Sequence, residues 1–190
     1  YAYLIQLKIN LYETTGEIIY LNDAKDIAQK TWDFFYDESN KILQKNLIEK
    51  NDLFVPPSDI NDSNIPNGNS IFLLNCKKLE MISGEEKWQN MAKELAQSFH
   101  SFLNLQSTQM VSYIKNLDMC EKLQTFTFFG DFKKNIELHK YVKKNYLGSS
   151  TLIYKDDSKE NYLIVCKNQT CSSKIKTIEE LKLALKNYAI

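Results

Sequence analysis

Residues Gly16 to Phe35 recur without a gap, 68 positions later, as Gly84 to Leu103. Eight of the twenty aligned pairs are identical: Gly16/Gly84, Glu17/Glu85, Asn22/Asn90, Ala24/Ala92, Lys25/Lys93, Ala28/Ala96, Gln29/Gln97 and Phe34/Phe102. Pairs such as Tyr20/Trp88 and Ile27/Leu95 keep their character. A fixed-period repeat means that one supersecondary unit is reused, and such units bury their apolar faces against neighbours. Two copies do not close an array, so the chain reads as part of a larger one.

The spacing around each copy predicts a helical hairpin. Leu4, Leu7 and Leu11 share a face with Ile5, Ile9 and Tyr12 nearby, which gives a helix over Tyr3–Thr14. Thr15-Gly16 ends it, because Gly takes the left-handed C-cap conformation without strain. A second helix carries Tyr20, Leu21, Ala24, Ile27, Ala28 and Phe35 on one stripe. The later copy repeats this plan: Ile71 to Leu79, a stop at Ser83-Gly84, then Trp88, Met91, Ala92, Leu95, Ala96 and Phe99. The matching alanines predict close helix approach, with Ala92 and Ala96 as contact residues. Between the hairpins, Asn51 to Asn69 holds all three prolines and reads as a long ordered loop.

A further helix, about Thr108 to Cys120, precedes a change of pattern at Leu123. Thr125 to Phe129 is β-branched and aromatic, Phe132–Tyr146 is helical, Thr151–Tyr154 and Tyr162–Cys166 are strand-like, and Ile178–Tyr188 closes as an amphipathic helix. Thr177 and Glu180 stand at capping-box positions. The fold class expected is therefore mainly α: a helical-hairpin segment over 1–122 and a small β-α-β-β-α unit over 123–190, its first two strands parallel through a crossover helix.

Composition limits the function. Twenty-four basic residues balance twenty-four acidic ones, which argues against nucleic acid as the main partner. The lysines within Lys133–Lys144 are interrupted by Glu137 and fit a solvated helix face. No apolar run approaches the roughly 20 residues of a membrane span. The start lacks the marks of a signal peptide and an initiator Met, so the natural chain is expected to begin upstream and to stay in the cytoplasm. Four cysteines are too sparse for a disulfide scaffold. Cys166 and Cys171 have neither redox C-x-x-C nor zinc-knuckle spacing, and reduced structural thiols are expected.

The loop Asp62 to Ser70 leads into a helix whose Asn69 or Ser70 can cap it. Its functional reading is a ligand-cavity rim, with Asp62 as ionised acceptor and Asn69 as bidentate amide; its structural reading is a turn and N-cap. His100 and His139 lack ligand-spaced partners and read as surface or packing residues, and no metal site is expected. Asp33, Asp37 and Glu38 cluster near one helix end, but glycoside chemistry needs two carboxyls facing across a cleft.

The runs Leu11-Tyr12-Glu13-Thr14-Thr15-Gly16, Phe35-Tyr36-Asp37, Asp62 to Ser70, and Ile164 to Cys171 followed by Glu179-Glu180-Leu181 resemble the C-terminal part of the YyaL-like, thioredoxin-domain-containing proteins related to spermatogenesis-associated protein 20. Pro56 and Asn67 stand where that family tends to have a basic residue and a Ser, and no Gly-Gly follows Asp37. The resemblance implies an α/α toroid similar to N-acylglucosamine 2-epimerases and six-hairpin glycosidases, of which this chain is the last hairpins and an α/β appendage. It implies no cofactor here. Its implied partners are a small carbohydrate and the family's N-terminal thioredoxin-like domain and remaining hairpins, and uncovered helix faces suggest a homodimer. Two functions compete. In one, Asp62, Asn69 and Ser70, with Tyr1 and Tyr3 at the first inner helix, line the rim of a carbohydrate cavity. In the other, the chain is a noncatalytic scaffold for the thioredoxin-like domain.

Overall fold

The turn glycines of the repeat, Gly16 and Gly84, adopt the same left-handed conformation, with φ of 74° and 71°. The computed structural model of the chain describes residues 1–46, 60–146, 150–168 and 170–188. It is mainly helical and divides into two compact units, Tyr1–Glu121 and Lys122–Ile190.

In the first unit, α1 (Ala2–Thr15) and α2 (Ile18–Phe35) form one hairpin, and α3 (Gly68–Ser83) and α4 (Glu86–Gln106) form the other. The 68-residue offset holds down to single hydrogen bonds. Gly16 N–H donates to Tyr12 O and Gly84 N–H to Glu80 O. Thr15 Oγ1 donates to Leu11 O and accepts from Glu17 N, while Ser83 Oγ donates to Leu79 O and accepts from Glu85 N. A hydroxyl one residue before the glycine thus satisfies groups at the end of one helix and at the entry to the next.

The helices that follow these turns bury different faces. In α2 the buried stripe is Leu21, Ala24, Ala28 and Thr31, and Ala24 and Ala28 are fully covered. In α4 it is Trp88, Met91, Leu95 and Phe99, while Ala92 and Ala96 are half-buried. Ala24 and Ala28 are thus more deeply covered than their repeat equivalents Ala92 and Ala96, and the fully buried positions of α4 are large side chains. Copy two also rests on copy one. Asn75 Nδ2 donates to Ala2 O at 2.8 Å, and Lys78 Nζ reaches both oxygens of the buried Glu13 carboxylate at 3.1 Å. Charge-assisted bonds to both oxygens are what makes so buried a carboxylate tolerable.

Beyond α2 the chain forms a two-stranded ribbon, β1 (Tyr36–Asp37) with β2 (Ile42–Leu43), antiparallel. No strand was expected here. Asp37 makes the turn by accepting from Ser39 N, Asn40 N and Asn40 Nδ2, the bonding expected of an Asx turn. Residues 47–59, which include the first part of the long loop with Pro56 and Pro57, lie outside the described residues. After α4, a 3₁₀ turn over Ser107–Gln109 leads to α5 (Val111–Lys122).

In the second unit a four-stranded sheet has the order β4-β3-β5-β6, with β3 (Gln124–Phe129), β4 (Ser150–Lys155), β5 (Tyr162–Lys167) and β6 (Thr170–Cys171). β3 and β4 are parallel; β3/β5 and β5/β6 are antiparallel. Phe126, Phe128, Leu152, Leu163 and Val165 from the sheet pack with Leu138 and Val142 of α6 (Ile136–Tyr146) and Leu181 and Leu185 of α7 (Ile178–Tyr188). His139 is buried among the rings of Phe128, Phe132 and Tyr154, and His100 is exposed. Glu180 accepts from Lys176 N and Thr177 N while its own N–H donates to Thr177 Oγ1, a closed capping box.

The β5/β6 hairpin corrects the reading of the thiols. Cys166 and Cys171 are paired residues on adjacent strands, 4.1 Å apart between Cα atoms, and form a disulfide. A turn with Asn168 at φ 49° places them opposite each other; sequence spacing alone does not reveal that pairing.

Candidate functional site

The polar residues of the Asp62–Ser70 loop meet, but largely to bond one another. Asp62 Oδ1 accepts from Asn67 N at 2.8 Å and from Ser112 Oγ, and Oδ2 accepts from Ser112 N at 2.7 Å. The carboxylate therefore ties the start of α3 to the start of α5. Ser70 Oγ donates to Asn67 O and lies 2.6 Å from Ser112 Oγ, and Asn116 Nδ2 donates to Ser70 O. The helix cap is Asn67, not the expected Asn69 or Ser70, its side chain accepting from Asn69 N at 2.8 Å. Asn69 is otherwise engaged: its Oδ1 accepts from Leu43 N at 2.7 Å and its Nδ2 donates to Leu43 O at 3.0 Å. The bidentate amide is real, and its partner is the β2 backbone.

Tyr3 Oη donates to Pro66 O at 2.9 Å. Burial, followed by the negative charge of Asp62, holds its phenol above the ordinary value. At the end of α2, Tyr36 donates to Glu94, and burial together with that bond pushes its phenol well up. Trp32 stacks on Tyr36 with ring centroids 3.8 Å apart. These aromatic groups hold the ribbon against the helices.

The opening beside this network is a cavity of about 510 Å³. It lies where α1 begins, α2 ends and α3 begins, and the β2 segment closes its side. Of the five residues expected at a ligand rim, Tyr1 and Asn69 line it; Tyr3, Asp62 and Ser70 do not. Thr31, Phe35, Gln44 and Asn67 are also on its wall. Tyr1 and Phe35 are in ring contact, with centroids 5.2 Å apart. Thr31 Oγ1 is turned back to Ile27 O.

Gln44 is the residue that sequence reasoning missed. The residue is 8 % exposed. Its N–H donates to Phe35 O, and its Nε2 donates to Asp37 Oδ2 at 2.7 Å. Those bonds fix the amide, and its Oε1 is buried with no hydrogen-bond partner. That oxygen keeps its capacity to accept a hydrogen bond. The sequence signal for it was the Asp-Glu-Ser-Asn turn before Ile42-Leu43, which marks a hairpin.

The described lining residues include no carboxylate, histidine or cysteine. Among the described residues, no three His, Cys, Asp or Glu side chains cluster so as to hold a metal ion, and no helix is long and apolar enough to cross a membrane. Comparison of the chain with models of known families and with curated proteins finds no match.

Proposed function

We propose that the helical unit is a noncatalytic carbohydrate-binding segment of an α/α toroid, the C-terminal region of a YyaL-like protein. One observation carries the binding reading: a cavity of about 510 Å³ whose wall includes the paired rings of Tyr1 and Phe35 and the residue Gln44, whose Oε1 is buried without a hydrogen-bond partner. A buried acceptor without a donor is worth about 1–3 kcal/mol in lost solvation, so a ligand that supplies a hydroxyl recovers what the free protein forgoes. Sugar hydroxyls are such donors, and the apolar face of a pyranose ring suits Tyr1 and Phe35. Most glycosidases place two carboxyl groups at the scissile bond, and the described wall includes none, so the reading proposed is binding.

Titration calorimetry of the full chain with N-acetylhexosamines and simple hexoses tests this. Saturable heat that is lost in Gln44→Met and weakened in Tyr1→Ala, with both variants still folded by circular dichroism at the temperature of the titration, supports the reading. Heat unchanged by Gln44→Met, or none with any sugar, refutes it.

A second reading, the scaffold, has its own support in the repeat. Leu4 and Leu7 on α1 are 41 % and 51 % exposed, whereas Phe72 and Asn75, their equivalents on α3, are 0 % and 1 % exposed because copy one covers that face. By the same packing, a further hairpin would cover Leu4 and Leu7. The array and the cavity are compatible, since the cavity lies at helix ends and that apolar face runs along α1.

A further inference from the structure

β5 lies inside the sheet, with β3 on one side and β6 on the other, and β6 is the edge. Cys166 of β5 is therefore flanked by its two register partners, Thr125 of β3 and Cys171 of β6. Residues paired in this way share a face of the sheet. Cys171 is exposed and Cys166 half-buried. Displacement at a disulfide proceeds in line, with the attacking sulfur opposite the leaving one. Cys171 stands exposed on the edge strand, whereas Cys166 stands half-buried on the inner strand beside Thr125, so Cys171 Sγ is the more accessible of the two.

The hairpin does not depend on the disulfide to keep the two residues together. Ser172 N donates to Val165 O at 2.8 Å, and Val165 N donates to Ser172 Oγ at 3.1 Å. Leu163 and Ile175 exchange two backbone bonds of 2.8 and 2.9 Å. Ile175 is anchored in the core. Opening the disulfide leaves two thiols still facing each other, so closure remains intramolecular. The other two cysteines do not compete: burial holds the Cys76 thiol well above its ordinary value and pushes that of Cys120 up to about 12, which suppresses the reactive thiolate.

We propose that Cys166–Cys171 is a reversible thiol–disulfide exchange site for low-molecular-weight thiols of the glutathione class, with Cys171 the sulfur attacked and Cys166 the leaving sulfur. A glutathione thiolate attacks Cys171 Sγ, forming a mixed disulfide; the Cys166–Cys171 bond breaks, and its electron pair leaves on Cys166 Sγ, which takes a proton from water. A second glutathione thiolate then attacks the glutathione sulfur of the mixed disulfide and releases the Cys171 thiol and oxidised glutathione. Two glutathione molecules lose two electrons and the protein disulfide gains them. In reverse, the Cys171 thiolate attacks oxidised glutathione, forming the mixed disulfide and releasing one glutathione thiolate; the Cys166 thiolate then attacks Cys171 Sγ and releases the second.

The test incubates the full chain in buffers of varied reduced and oxidised glutathione, quenches with acid, alkylates free thiols and maps each cysteine by mass spectrometry, with circular dichroism on the same samples. The expected result is reversible opening of Cys166–Cys171 in a chain that remains folded. Oxidised glutathione should label Cys171 in Cys166→Ser about ten-fold faster than Cys166 in Cys171→Ser, since access decides which sulfur reacts. Opening only when the chain unfolds overturns the exchange site, and equal or faster labelling of Cys166 overturns the assigned direction of attack. Wild-type data decide the first point even if a serine variant folds poorly.

Discussion

The side-chain amide of Asn69 and the main chain of Leu43 exchange two hydrogen bonds, of 2.7 and 3.0 Å, across 26 residues of sequence. The first turn of α3 thereby acts as a third rung for the β1/β2 ribbon and fixes Gln44, the next residue, in the cavity wall. Asn69→Ala leaves the buried N–H and C=O of Leu43 without partners, and we expect a loss of about 2 kcal/mol. Urea denaturation of the full chain measures it; an unchanged midpoint would mean that the ribbon stands without the amide.

Asp62 has a related role one layer away. Its oxygens take two backbone N–H groups and the Ser112 hydroxyl, and hydrogen bonds to a charged group contribute more than neutral ones. Asp62→Ala should therefore destabilise the chain by about 2 kcal/mol and leave sugar binding in the surviving folded fraction intact. Thermal melts and calorimetry on the same preparation separate the two effects. Lost binding with unaltered stability would restore Asp62 as a ligand residue.

The alanines shared by the two hairpins give a paired comparison. Ala24 is fully covered and its repeat equivalent Ala92 is half-buried. Ala24→Leu is expected to cost about 1–3 kcal/mol by overpacking against α1, and Ala92→Leu clearly less. Equal losses would show that α4 uses its alanine stripe as α2 does.

Asp37 predicts a pH dependence. The Asn40 side-chain bond, and after it the opposing effect of burial and the bond from Gln44, leave its carboxyl below the ordinary value of 3.8. A depressed folded-state value means that the native state binds fewer protons than the unfolded state near that pH. Its stabilising contribution is then fully present above about 4 and is lost as the pH falls through the lower folded value. Denaturation of parent and Asp37→Asn should differ at pH 7 and converge in stronger acid. A difference that persists at low pH would assign the effect to geometry rather than to charge.

Much of this fold could be read from the chain because it is local. The left-handed turns at Gly16 and Gly84, the helical periods either side of them, and the box at Thr177 and Glu180 each lie within a few residues. β1, β2 and β6 are two residues long, too short for a period to register. The cap moved from Asn69 to Asn67 because a distant backbone, that of Leu43, takes the Asn69 side chain, although either asparagine satisfies the local rule. Gln44 owes its orphaned oxygen to Asp37 and Phe35 holding the rest of the residue in place. The Cys166–Cys171 pairing depends on a turn residue with positive φ, which spacing does not encode.

The most direct measurement is a crystal structure of the full chain soaked with an N-acetylhexosamine at saturating concentration, read at the cavity bounded by Tyr1, Phe35 and Gln44. Carbohydrate binding predicts a sugar ring against the aromatic pair with one hydroxyl donating to Gln44 Oε1. Sugar density elsewhere on the chain, or a cavity filled only by water hydrogen-bonded to that oxygen, would contradict it.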